Sequence, residues 1–243
     1  MYLSLLKKCL LDDIYGSVIE AWGLGGAPGS LASAEDVANG TFWPRRAHTM
    51  VGRKRLDNLQ FAFETVLREG VAGDLVETGV WRGGASIFMA GMNAFYNANR
   101  CIYVCDSFEG LPPPEPGKWP ADAGDDNHTY KFLAVSLEQV KANFAAYDLL
   151  SDNVVFVKGF FETSLVAIPP LPISVLRLDG DMYGSTMTVL QQLYDRVSVG
   201  GFIIIDDWNI LKCRQAVTDF LGAKGLQPQI IPIDNCAVYW RKA

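Results

Sequence analysis

The sequence has no apolar run near the roughly 18 residues that a membrane-crossing helix needs. Its start, MYLSLLKKCLLDDIYG, carries lysines inside the apolar stretch and no small-residue cleavage pattern. This start reads better as an amphipathic helix than as a signal peptide, so a cytoplasmic protein is expected. Basic residues are in deficit, 21 against 27 acidic, for a net charge of -6. A nucleic-acid binder usually shows the opposite surplus. Neither nucleic acid nor membrane is expected as a partner. The five cysteines are odd in number and scattered, with no C-x-x-C and no Cys/His cluster. Cys101 and Cys105 share one strand-like run, where four residues span roughly 13 Å, too far for a disulfide. A structural zinc site is therefore not expected. Internal repeats and low-complexity tracts are also absent.

What is present is an alternation. Residues 1–22 read as a helix, 23–40 as a small and polar loop, and 49–70 as a second helix ending at Gly70. From residue 74 short apolar runs alternate with helix-period segments. The strands are DLVETGV, CIYVCD, VVFVKG, ISVLRLD and GFIIIDD, and QIIPID and AVYWRK close the chain without a helix between them. Such a pattern predicts an α/β fold. Five parallel strands would be covered by helices on both faces, with a C-terminal antiparallel hairpin. This is the outline of a seven-stranded methyltransferase sheet. Residues 107–135 fit neither period and hold five of the twelve prolines. A segment this long inside a compact domain suggests a lid, mobile without ligand.

Three predicted strands end in acid: Asp106 in YVCD, Asp179 in LRLDGD, and Asp206 with Asp207 in IIIDDW. Parallel strands bring these ends to one edge, where ligands of open α/β sheets bind. Adjacent like charges at a buried strand end are costly unless a cation sits among them. All-oxygen donors favour Mg²⁺, Mn²⁺ or Ca²⁺ over zinc. The loop ETGVWRGG, residues 77–84, joins the first parallel strand to its helix. It lacks the G-x-G-x-x-G spacing of a dinucleotide loop, and Trp81 and Arg82 stand where pyrophosphate would need bare backbone. Glu77 would repel a pyrophosphate. It suits a cationic ligand such as the sulfonium S-adenosylmethionine.

Six stretches together resemble the macrocin and mycinamicin O-methyltransferase family, enzymes of macrolide sugars. They are AHTMVGRKRLDNLQ (47–60), GDLVETGVWRGGASIF (73–88), DSFEGLP (106–112), LRLDGDMYGSTMTVL (176–190), GGFIIIDDWN (200–209) and VYWRK (238–242). The resemblance implies a class I methyltransferase fold, a Rossmann-like sheet with added N-terminal helices. It also implies S-adenosylmethionine and Mg²⁺ as cofactors and a homodimer or dimer of dimers. Residues 1–70 would then serve assembly and cover, and 71–243 would form the methyltransferase core. By the same resemblance Asp179, Asp206 and Asp207 are the expected metal ligands. Asp179 is also the expected base, and Asp181 the second candidate. Glu77, Gly79 and Arg82 would surround the methionine end of the cofactor, with Asp179 nearby. Asp106 would hold the ribose. Ser107 and Glu162 would reach the adenine side. Thr49 and Met50 would close over from the N-terminal helices, although ordinary helix-start and core residues would look the same. Trp208, next to the metal pair, is a candidate wall for the acceptor pocket.

The chain departs from the family pattern in 23–46 and 112–130, segments that face the substrate. A deoxysugar on a polyketide, an aminocoumarin-type phenol or another glycoside would all suit as the hydroxyl acceptor. Rival readings are a haloacid-dehalogenase-type phosphatase, whose D-x-D motif LRLDGDMYGST imitates, a NAD-dependent dehydrogenase, and a binding scaffold that has lost its chemistry. The phosphatase motif belongs on a first strand, and here three strands precede it.

Overall fold

The computed structural model describes residues 1–21 and 26–243. In chain order the elements are α1 (Tyr2–Leu10), β1 (Ile19–Ala21), α2 (Ala34–Asn39), β2 (Trp43–Pro44), α3 (Arg53–Arg68), β3 (Asp74–Thr78), α4 (Gly84–Phe95), β4 (Ile102–Asp106) and α5 (Leu137–Ala146). Then come β5 (Val154–Lys158), α6 (Phe161–Ser164), β6 (Ile173–Leu178), α7 (Tyr183–Leu193), β7 (Val197–Ile205), α8 (Leu211–Ala223), β8 (Ile231–Pro232) and β9 (Val238–Arg241). No helix among the described residues is long and apolar enough to cross a membrane.

The main sheet runs β5-β4-β3-β6-β7-β9-β8 among the described residues. Its first five strands are parallel, while β9 pairs antiparallel with β7 and with β8. The five strands and the hairpin agree with the expectation. Strand order reverses between β3 and β6, which opens a crevice beyond their carboxyl ends.

Period-2 alternation splits the strands between two cores. Leu75, Val104, Val175, Phe202 and Ile204 pack on one face against Leu56 and Phe63 of α3, Phe88 of α4 and Leu6 of α1. Val76, Cys105, Leu176 and Ile203 pack on the other, against Leu190 of α7, Phe220 of α8 and Trp240.

The N-terminal 40 residues differ most from expectation. The first helix stops at Leu10 rather than continuing to residue 22, and Asp12 turns left-handed at φ 54°. The chain then forms a small antiparallel ribbon of β1 with β2. Residues 34–39 of the expected loop are helical because Ser33 and Asp36 close a capping box, each accepting the other's backbone N–H. Residues 23–25 of that loop, and Trp22 of the expected helix, lie outside the described residues. The apolar stripe of α1 is largely buried within the chain. Leu3, Leu6 and Leu10 are buried, Lys7 pairs with Asp57, and Leu5 remains exposed.

Leu6 reaches so close to α4 that a Cβ on Gly91 would lie 2.3 Å from it. Leu6→Ala should therefore cost about 2–5 kcal/mol in denaturant unfolding. A loss below about 1 kcal/mol would mean that α1 is not docked there.

Candidate active site

Strand parity builds the site. Glu77 on β3 and Arg177 on β6 are direct cross-strand partners. Asp179, two residues beyond Arg177, and Asp206, two beyond Ile204, have the same parity and turn to the α3 side. Arg177 is 2% exposed and stands in the middle of them. Its Nη1 donates to Glu77 Oε1 at 2.5 Å and to Asp179 Oδ2 at 3.0 Å, and its Nη2 donates to Asp206. Ser86 Oγ donates to the other oxygen of Glu77. From α3, Arg55 donates to the second oxygen of Asp206, to Asp234 Oδ2 at 3.0 Å and to the carbonyl of Asn39 at 2.8 Å.

Ligand atoms of Asp179, Asp206 and Asp207 all lie within 4.8 Å of one another. Asp206 and Asp207 are buried, whereas the Asp179 side chain is 30% exposed toward the crevice. Asp181 takes a left-handed backbone at φ 55°, and its N–H donates to Asp207 Oδ2 at 3.0 Å.

Charge is out of balance here. Glu77, Asp179, Asp181, Asp206 and Asp207 line one cavity, and Arg55 and Arg177 are the cations among its described lining residues. Burial, then the neighbouring Asp206, raises the Asp179 carboxyl to about 6. Burial, then Asp179 and Asp125, raises Asp181 to about 7. Asp207 is pushed well above the usual carboxylate range by burial and by Asp181 and Asp179. Burial also lifts Glu77 to about 7 despite Arg177. Asp206 alone goes down: burial opposes its charge, but Arg177 and Arg55 together outweigh that cost. Unbalanced acids with oxygen-only donors fit a hard divalent cation.

Two cavities meet at this edge. The first is lined by Gly79, Trp81, Asp106, Ser107, Leu111, Phe160, Phe161 and Glu162. The second, about 410 Å³, holds the five acids with Thr41, Trp43, Thr49, Asn127, Asn209, Ile210 and Cys236. Its size is that of a small-molecule site. Met50, Trp81, Leu133, Asp179 and Asp181 line both, so the two spaces join beside Asp179.

Gly79 sits where only glycine fits, at φ 81°. An added Cβ would lie 1.6 Å from the Asp179 carbonyl oxygen. Asp106 accepts the Val80 N–H at 2.8 Å and the Phe108 N–H at 2.7 Å. Ser107 donates to the Gly110 carbonyl at 2.6 Å. Thr49 accepts the Val51 N–H at 3.2 Å.

Glu77 lines the second cavity rather than the first. Arg82 lines neither: it donates to the carbonyls of Arg45 and Ala47 and lies over the Trp81 ring at 4.2 Å. It clasps the N-terminal segment to the glycine loop. Trp208 is likewise outside both linings, where Asn209 and Ile210 stand instead.

Arg177 and Arg55 were not among the expected site residues. A lone charge inside the apolar run VLRLD was the available signal for Arg177. Nothing local singles out Arg55 among Arg53, Lys54 and Arg55, the three consecutive basic residues that open α3.

The strand order, the glycine loop and the joined cavities define a Rossmann-like class I methyltransferase. The comparisons narrow this. The macrocin O-methyltransferase (TylF) family matches residues 1–242, and the chain belongs to that family. It is similar to the 8-demethyl-8-(2,3-dimethoxy-alpha-L-rhamnosyl)-tetracenomycin-C 4'-O-methyltransferase of Streptomyces olivaceus, at 48% identity over 99% of this chain and 92% of that one. It is 42% identical to the mycinamicin III 3''-O-methyltransferase of Micromonospora griseorubida, over 100% of this chain and 96% of that one. The solved structure of the O-methyltransferase NovP covers 100% of this chain and 98% of its own, with a TM-score of 0.88 and 38% identity. The chain is thus an O-methyltransferase, and its family implies S-adenosylmethionine. The phosphatase, dehydrogenase and scaffold readings fall.

Arg177→Met would leave Glu77 and Asp206 as buried charges short of a partner. Stability should drop by about 3–5 kcal/mol in denaturant melts. A neutral result would show that the acids are balanced some other way.

Proposed function

We propose that the protein transfers the methyl group of S-adenosylmethionine to a hydroxyl, of a sugar on an antibiotic-type natural product, with a divalent cation held by Asp179, Asp206 and Asp207. The observation that carries this reading is the junction. Asp179 lies where the two cavities meet and within ligand range of Asp206 and Asp207. The sugar acceptor is supported by the rhamnosyl acceptor in the name of the Streptomyces olivaceus relative.

The first cavity is the cofactor's. Trp81, Phe160, Phe161, Leu111 and Leu133 supply apolar walls, and Asp106 supplies an acceptor for ribose hydroxyls. Ser107 and Glu162 stand on the adenine side, and Met50 closes the space from above, with Thr49 behind it. Glu77 offers its charge to the ammonium end of the methionine across the junction, beside Gly79. Arg82 acts at one remove, by holding the loop.

When bound, the sulfonium supplies an activated methyl, and the cation lowers the pKa of the acceptor hydroxyl. The chain's task is position and proton removal. Asp179 Oδ2 is held by Arg177, while the side chain stays 30% exposed and lines both cavities. We assign the proton to Asp179, with Asp181 as the second candidate, since both line the two cavities. The expected outcome for Asp207→Asn is loss of transfer to below about 1% with S-adenosylhomocysteine affinity within several-fold of wild type. EDTA should silence the wild type and Mg²⁺ restore it. Full turnover in EDTA would remove the metal from this account.

The family also supports a homo-oligomer. With its main stripe spent on α4, α1 still exposes Tyr2 and Leu5, and Tyr2 stacks on exposed Phe95, which contacts Tyr96. We assign the subunit contact to this patch. Light scattering should give at least twice the 26.7 kDa chain mass, and Leu5→Glu with Phe95→Glu should lower it. A wild-type monomer at micromolar concentration would refute the assignment.

A further inference from the structure

The segment that crosses the crevice mouth is not loosely laid. It contains three short 3-10 turns, Pro120–Asp122, Asn127–Thr129 and Lys131–Leu133. Asp122 is 1% exposed, with no basic partner among the described residues. Its carboxylate instead accepts two backbone donors of α7, the Tyr183 N–H on Oδ1 and the Gly184 N–H on Oδ2, both at 2.8 Å. The residue before α7 is Met182, which supplies no side-chain cap. The lid therefore provides the acid that α7 lacks at its own N-terminus.

Trp119 seals the contact. A Cβ on Gly184 would lie 2.4 Å from its Cδ1, and its ring lies 5.7 Å from that of Tyr183. Asp125 Oδ2 accepts from Lys212 Nζ at 3.0 Å, at the start of α8. The two helices gripped in this way follow directly on the two acid-bearing turns. Residues 179–182 lead into α7, and 206–210 lead into α8. The turn before α7 is the strained one, with Asp181 left-handed and hydrogen-bonded to Asp207.

We propose that Asp122 is a positioning residue: by capping α7 from the lid, with Trp119 seated on Gly184, it holds the 179–182 turn in register with Asp207. The acid set is then complete only with the lid docked, and lid opening releases acceptor and metal site together. The inference rests on the roles given above to Asp179, Asp181 and Asp207.

Two substitutions test it from different sides. Asp122→Asn keeps the shape but turns an amide donor toward one of the two N–H groups. Gly184→Ala keeps every carboxylate and the N–H that Asp122 accepts, but its methyl group would meet Trp119. Four readouts apply: trypsin cleavage at the exposed Lys118, deuterium exchange at the Asp181, Tyr183 and Gly184 amides, Mn²⁺ titration by calorimetry, and melting temperature. In both variants cleavage and exchange should rise about tenfold or more, and Mn²⁺ affinity should fall about tenfold. Gly184→Ala should do this with the melting temperature lowered by no more than a few degrees, which separates positioning from general loss of structure. Wild-type cleavage and exchange in both variants would overturn the proposal. So would a freed lid with the Asp181 amide still protected and Mn²⁺ affinity intact, since the lid would then be a cover only. In a wild type that takes no Mn²⁺ the metal reading falls by itself, and exchange at Asp181 alone decides whether Asp122 holds the turn.

Discussion

The Arg177 guanidinium is the group on which the rest of the site depends. It lies in an apolar strand, fully enclosed, and binds acids from β3, from its own strand end and from β7. A buried charge of this kind is costly unless every donor is used. Here the cost is offset by placing three carboxylates around one fork, and Arg55 adds a second fork on Asp206 from outside the sheet. Each acid is thereby fixed at a distance set by the guanidinium plane rather than by its own flexible turn. The acids left over, Asp181 and Asp207, have no cation of their own among the described residues. That residual charge is what suits the edge to a metal.

Arg55 ties this centre to the part of the chain most unlike a plain doubly wound sheet. It reaches from α3 to Asp206, to Asp234 in the C-terminal hairpin and to the Asn39 carbonyl at the end of α2. Added N-terminal helices and the terminal hairpin thus converge on the same carboxylate. Arg82 makes a comparable tie on the other side, from the glycine loop to the carbonyls of 45 and 47. The N-terminal segment is held over the crevice by these arginines and by Leu11, Ile19, Val37, Phe42 and Val51, which join the core on the α3 side of the sheet.

Over the mouth, Asp122 and Trp119 hold the crossing segment from one end, and an aromatic group holds it from the other. Trp43 stacks on Phe132 at 5.4 Å, and Phe132 lies 5.3 Å from Trp81. Proline and charge made this stretch look like a free lid, because few apolar anchors are visible in it. Its anchors are instead one acid on helix N–H groups and a few rings, which no periodicity reveals.

Sequence alone was enough for the parallel strands, the closing hairpin, the edge on which Asp106, Asp179, Asp206 and Asp207 gather, and the family. All of these follow from local period, or from motifs whose spacing survives in one dimension. Gly79 was legible for the same reason. Tertiary structure decided what lies between those points. The first helix ends at Leu10, and its stripe packs inward on α4, because partners for an apolar face are not written in the face itself. Arg82 turns to the carbonyls of the N-terminal segment rather than into either cavity. Arg177, Arg55 and Asp122 take up their work only when strands 100 residues apart in sequence, or a loop and a helix 60 apart, are brought within hydrogen-bond reach. A buried charge is chosen by its surroundings, and those exist only after the chain has folded.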